Sequence, residues 1–131
     1  MIDKKYYLYA VEQMDRAKRE KKKHNGWKDK ADRDCFYSGR PCAERHEVFP
    51  GRPNRQISIA HGFQVDLCPE KHRELQENIM PWAKVENQKW RETYERAYID
   101  RLIDEGASEE DALESWMRLI GRNYIEELTP K

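Results

Sequence analysis

Cys35-Phe-Tyr-Ser38-Gly39-Arg-Pro-Cys42-Ala-Glu-Arg45-His46-Glu47-Val48-Phe49-Pro50-Gly51-Arg52-Pro-Asn54-Arg55 and, after a short connector, Val65-Asp-Leu67-Cys68-Pro69-Glu-Lys71-His72-Arg73 are the stretches on which the fold turns. The segment that contains them, residues 34–73, holds all three cysteines, three of the four histidines and four of the six prolines. Its apolar pieces are short: Val48-Phe49, Ile57–Ala60, and the alternating Phe63, Val65 and Leu67. They predict short strands joined by turns at Ser38-Gly39, Pro50-Gly51 and His61-Gly62. Pro69 then suits the first turn of a helix that runs to about residue 79.

On both sides of this segment the apolar spacing becomes helical. Tyr7, Val11 and Met14 recur at helical intervals with no Pro or Gly between them, which predicts a helix over 5–23, broken at Asn25-Gly26. Pro81 interrupts the chain, and a long helix is expected from Trp82 to Glu105, with Gly106 as its stop. Val85, Trp90, Tyr94, Ala97, Tyr98 and Leu102 keep near-helical spacing along it, and the Trp90/Tyr94/Tyr98 stripe reads as packing. Ser108-Glu-Glu-Asp111 has the form of a helix start, and Ala112, Leu113, Trp116, Met117 and Ile120 give that helix its apolar face up to Gly121.

Composition bounds what such a chain can be. Its 131 residues exclude a TIM barrel or a full doubly wound nucleotide-binding fold. Charged residues make up 38% and apolar residues 37%, so the core is modest and a metal or a partner has room to contribute to stability. Four tryptophans and seven tyrosines argue against a wholly disordered chain. No run approaches the ~18 apolar residues of a membrane span, and the first residues lack the apolar core of a signal peptide. A cytoplasmic protein with no membrane partner is expected.

The net charge of zero hides an asymmetry: residues 1–56 carry 15 Lys and Arg against 9 Asp and Glu, and residues 57–131 carry 10 against 16. The densest basic run, Arg16 to His24, includes Lys21, Lys22 and Lys23. It reads either as a phosphate-neutralising, DNA-binding element or as a solvated helix face. Cys35, Cys42 and Cys68 cannot all pair within one chain; near histidines they suggest metal ligation, the alternative being three reduced thiols.

The order of motifs in the quoted stretches resembles the HNH, or ββα-metal, endonuclease family. More narrowly it is similar to small phage-encoded members with a Cys-x-x-Cys-Gly turn, a His-His or His-Glu pair leading into Val-Phe, a Gly-x-x-Asn-Arg loop and a Leu-Cys-x-x-His-His helix start. Met117–Tyr124 looks like the end of those proteins, so the resemblance covers about residues 34–125. It implies an α+β fold: a small, treble-clef-like ββα-metal centre with a short β-hairpin, flanked by an N-terminal helix and two or three C-terminal helices. The organisation expected is a basic helical extension over 1–33, the HNH-like module over 34–80 and packing helices over 81–131.

Carried over by position, the resemblance makes His46 a metal ligand and puts Glu47 at the general-base position. His72 becomes the second metal histidine, and Asn54 the residue that orients the base or, alternatively, a turn residue after Pro53. Arg52 and Arg55 are candidates for phosphate contact. The divalent metal of such a site, Mg²⁺, Mn²⁺ or Zn²⁺, sits beside the scissile phosphate while a base activates water. Related proteins also carry a structural zinc, whose ligand positions here hold Cys35, Ser38, Cys68 and Lys71. Serine hydroxyl and lysine ammonium are poor zinc ligands. A rescued set of Cys35, Cys42, Cys68 and His72 is conceivable, although the spacing from Cys35 to Cys42 is long for a zinc knuckle. Two functions follow as expectations. One is a phage or prophage HNH-type DNA endonuclease or nickase in a bacterial host. The other is a degenerate HNH-like module that binds DNA or a protein, such as a component of host defence, without cutting.

Overall fold

A computed structural model describes residues 2–20 and 33–125. The chain is α+β, with elements in the order α1 (Lys4–Glu20), β1 (Glu44–Glu47), α2 (Arg52–His61), β2 (Gln64–Leu67), α3 (Pro69–Glu77), α4 (Pro81–Asp104) and α5 (Glu109–Leu119). The two strands pair antiparallel, with Glu44 opposite Leu67, Arg45 opposite Asp66, His46 opposite Val65 and Glu47 opposite Gln64. No helix among the described residues is long and apolar enough to cross a membrane. Lys21, Lys22 and Lys23 lie outside the described residues.

Period-2 alternation divides the small sheet into two faces. Val65 and Leu67 are fully buried and share their face with Glu44 and His46. Arg45, Glu47, Gln64 and Asp66 share the other, where Arg16 of α1 donates from Nη2 to Gln64 Oε1 at 2.9 Å. The turn over Cys35–Gly39 docks on β2 through Phe36 N–H to Asp66 O at 2.8 Å.

Ile57–Ala60 is not a strand: residues 52–61 form α2, which connects the two strands. Pro53 suits the first turn of a helix, and Gly62 closes it in the left-handed region at φ 78°, its N–H returning to Ser58 O. The same Pro and Gly residues that suggest turns around a strand are also helix punctuation. Inside α2 the apolar residues at 57 and 59 do not alternate between core and solvent: Ser58 is the buried residue and Ile59 is exposed.

Helix α4 is the spine, packed against α1, α3 and α5. It buries residues on more than one side, among them Ala83, Trp90, Tyr94, Ala97 and Ile99. The expected aromatic stripe is core: Tyr6 and Phe36 lie 4.5 and 4.9 Å from the Trp90 ring, and Tyr98 lies 5.5 Å from Trp116. Ring pairs at these separations add roughly 1 kcal/mol each beyond the area they bury. Val85 and Met117 do not join that core; both are exposed. Tyr94 ties α4 to the sheet through its hydroxyl, which donates to Gln64 O, and Tyr7 ties α1 to α4 by donating to Asp100 at 2.8 Å. Helix α5 starts as its sequence predicts, with Ser108 Oγ accepting from Asp111 N at 3.0 Å.

After α5 the chain folds back along α4. Trp116 Nε1 donates to Arg122 O at 2.9 Å, and buried Glu95 accepts from Tyr124 N at 2.6 Å. Burial pushes the Glu95 carboxyl up to about 7, against the pull of the Tyr124 and Ile125 N–H groups.

Gly62 also fixes how closely α1 approaches the helix end. A Cβ there would lie 2.3 Å from Gln13 O and 2.9 Å from Ala17 Cβ, on backbone and core that cannot swing aside. Gly39 has similar positive φ but open space around it. Gly39→Ala should therefore cost about 1 kcal/mol, the left-handed penalty alone, whereas Gly62→Ala should cost about 3 kcal/mol or more. Urea unfolding of the two variants checks this; equal losses would contradict the close packing of α1 on α2.

Candidate functional site

His46 stands in the middle of β1, on the face turned to α3, because strand alternation puts it beside Val65 and under the helix that begins at Pro69. It is 7% exposed. His72, in the first turns of α3, brings its ring to 5.3 Å from that of His46, nearly edge-on. Two histidines far apart in sequence thus meet because one sits on the strand and the other on the helix that follows its partner strand.

The pair differs in surroundings. His72 Nδ1 lies 2.9 Å from Glu44 Oε1, two residues before His46 on the same face of β1. In the tautomer that donates this hydrogen bond, Nε2 keeps its lone pair free, the arrangement that second-shell carboxylates impose on metal-binding histidines. The His46 Nε2 atom is buried with no hydrogen-bond partner among the described residues. Burial, then the neighbouring His72 and Arg91, push its pKa down from the usual 6.5 to about 3, so the ring stays neutral.

Both rings line a cleft of about 660 Å³ between β1, the start of α2, α3 and α4. Arg45, Glu47, Arg52, Arg55 and Arg91 also reach it. Glu47 is on the opposite strand face from His46 and is engaged at both oxygens: Arg55 Nε lies 3.1 Å from Oε1, and Gln64 Nε2 lies 3.4 Å from Oε2. Arg45 pairs with Asp66 at 3.7 Å. Asn54 lies in the first turn of α2, and its amide donates to Ile120 O at 3.5 Å, which links it to the end of α5. Of the expected site residues, His46, Glu47, His72, Arg52 and Arg55 therefore share one cleft, and Asn54 faces elsewhere with its one hydrogen bond.

None of the three cysteines lines this cleft. Cys35 and Cys68 are buried, and Cys42 is exposed with φ 60°. Burial raises the Cys35 thiol, but hydrogen bonds from Ser38 and from the Cys68, Ser38 and Tyr37 N–H groups outweigh it and bring it down to about 7. Lys71 holds its ammonium 4.6 Å over the Trp82 ring and 3.8 Å from Glu74. Among the described residues no group of three or more His, Cys, Asp or Glu side chains is placed to hold a metal ion. A structural zinc on Cys35, Cys42, Cys68 and His72 does not fit this arrangement, since His72 is turned to Glu44 and His46. The histidine pair brings two imidazole rings together at 5.3 Å.

Two residues around the histidine pair escape sequence reading: Glu44, bonded to His72, and Arg91, which lines the cleft. Glu44 was legible in principle, since it lies two residues from His46 on a strand. Arg91 was not: nothing in the local pattern of α4 marks it. Comparison with known proteins finds no matching family model, no matching curated protein and no matching solved structure.

The neutral His46 makes a prediction with a definite sign. Below its usual 6.5 the unfolded imidazole takes up a proton that the folded one refuses, so stability falls as pH drops from 6.5. The slope is at most about 1.4 kcal/mol per pH unit. Urea titrations between pH 7 and pH 5 should show a shallower loss in His46→Asn than in the unsubstituted chain. Equal slopes would mean that His46 titrates freely in the folded state.

Proposed function

We propose that this chain is an HNH-type nuclease of the ββα-metal class, a divalent-metal-dependent DNA endonuclease or nickase of phage or prophage origin acting in the bacterial cytoplasm. The observation that carries the reading is the meeting of His46 and His72 in an arginine-lined cleft. It rests on β1 and α3, which bring His46 of the strand and His72 of the helix to one cleft. Cleaving a phosphodiester requires charge neutralisation at the phosphate, a lone pair to hold a cation and a group to accept a proton from water.

His46 and His72 would hold the divalent ion. When bound, that ion neutralises charge on the scissile phosphate and stabilises the leaving oxygen. The burial of His46 keeps its ring neutral and its Nε2 free of competing partners. Glu44 fixes the ring of His72 through Nδ1. Arg52 on the rim is exposed and placed to draw a phosphate toward the histidines. Glu47 stands at the base position, and a phosphate that attracts Arg55 would release its carboxylate from that ion pair.

The ion pair also favours a second reading. With Glu47 held by Arg55 and Gln64, and two nitrogen donors in place of a larger set, the module would bind DNA or a protein through this cleft and leave the backbone intact.

Supercoiled plasmid and single-stranded DNA, each incubated with Mg²⁺, Mn²⁺ or EDTA, separate the two. The nuclease reading predicts nicking that requires metal and falls at least about 100-fold in His46→Ala and in His72→Ala. Glu44→Gln should lose less, roughly 10-fold, because it loosens His72 without removing a ligand. Metal-independent binding with no cleavage by any variant would overturn it in favour of the second reading.

A further inference from the structure

Arg91 projects from the middle of α4 into the cleft beside His46. Its Nε donates to Val48 O at 3.2 Å, a bond that does not engage the two Nη groups. The side chain is half-buried, and no carboxylate among the described residues pairs with it. A desolvated guanidinium without a counter-charge is costly, and its pKa is lowered accordingly by burial.

A second cation lies against the same aromatic ring as Arg91. The guanidinium of Arg122 lies 4.8 Å from the centroid of the Tyr124 ring, and that of Arg91 lies 5.9 Å from the same centroid. The charge on Arg122 adds to the lowering at Arg91. No carboxylate among the described residues pairs with Arg122 either. The segment that carries Arg122 is tied down at three points: Trp116 Nε1 to Arg122 O, Tyr124 N to Glu95, and Gln88 Nε2 to Tyr124 O at 3.2 Å. Three hydrogen bonds thus hold a segment that brings like charges together. In the cleft that Arg91 lines, His46 Nε2 is a further buried polar atom without a hydrogen-bond partner among the described residues. An oxyanion between the two guanidiniums would satisfy both at once, since paired guanidinium N–H groups match phosphate oxygens in geometry and in charge.

We propose that Arg91 and Arg122 form a phosphate subsite, continuous with the histidine cleft, that takes a backbone phosphate of the nucleic acid. The macromolecule rests on the function proposed above; the phosphate chemistry stands on the two arginines alone. The return of the chain after α5 then serves to complete the substrate surface of a cleft whose other walls come from the sheet, α3 and α4.

The test uses the full chain in EDTA, so that no metal takes part. Inorganic phosphate is titrated while the arginine Nε–H resonances are followed by NMR, and a short single-stranded oligonucleotide is titrated by fluorescence anisotropy. Arg91 Nε–H should shift saturably with phosphate, and less readily in Arg122→Gln. Oligonucleotide affinity should fall roughly 5- to 50-fold in Arg91→Gln and in Arg122→Gln, be partly kept in Arg91→Lys, and lose about one unit of salt slope in each Gln variant. Arg122 is exposed, so its variant should fold normally and keeps the test decisive if Arg91→Gln does not. No saturable phosphate shift, or unchanged affinity and salt slope in Arg122→Gln, would overturn the subsite. Nicking that persists despite that result would leave the nuclease reading standing; a phosphate shift in a chain that never nicks would leave the subsite standing and remove the nuclease.

Discussion

Register on a four-residue strand governs the site. With His46 opposite Val65, alternation places Glu44 and His46 against α3 and sends Arg45 and Glu47 to the other face. A slip of one residue would exchange the two sets, burying an arginine under α3 and moving the imidazole away from His72. Such a short pair of strands cannot hold its own register, because few hydrogen bonds and little apolar area are involved. Register is imposed from outside: buried Val65 and Leu67 commit one face to the core, Tyr94 holds Gln64 O from α4, and Phe36 N–H holds Asp66 O from the turn at Cys35–Gly39.

Helix α4 is therefore more than a packing element. It presents Trp90 and Tyr94 to one part of the core, holds the returning chain through Glu95 and Gln88, and carries Arg91 into the cleft. The polar residues buried along it, Asn87 bonded to Leu75 O and Glu95 bonded to Tyr124 N, fix the positions of α3 and of the last described residues. Hydrophobic packing alone would leave those positions less defined, since apolar contacts are not directional.

Much of this was legible in the residues, and the exceptions have physical causes. Helix α5 was readable because Ser108 is a cap whose hydroxyl finds Asp111 N, a local interaction that needs no tertiary context. The start of α3 was readable from Pro69 for the same reason. Ile57–Ala60 misled because an Ile-Ser-Ile-Ala run satisfies strand alternation and half a helical turn equally well; Pro53 and the left-handed Gly62 decide for helix. Met117 and Val85 fit the spacing of an apolar face yet are exposed, since spacing says which residues share a face and not how far the neighbouring helix extends over it. In the site, His46 and His72 were visible through motif order. Glu44 follows from strand alternation once His46 is placed. Arg91 depends on how α4 crosses the sheet, which no local pattern encodes.

The account rests on the histidine pair acting as one cation site. Mn²⁺ added in substoichiometric amounts to the chain, with the histidine ring protons followed by NMR, tests this most directly, because paramagnetic broadening acts only near the ion. The account predicts that the His46 and His72 rings broaden together and first, that His61 is spared, and that Glu44→Gln weakens the effect. Broadening of His72 without His46, or of neither at Mn²⁺ levels that saturate an ordinary two-histidine site, would contradict it.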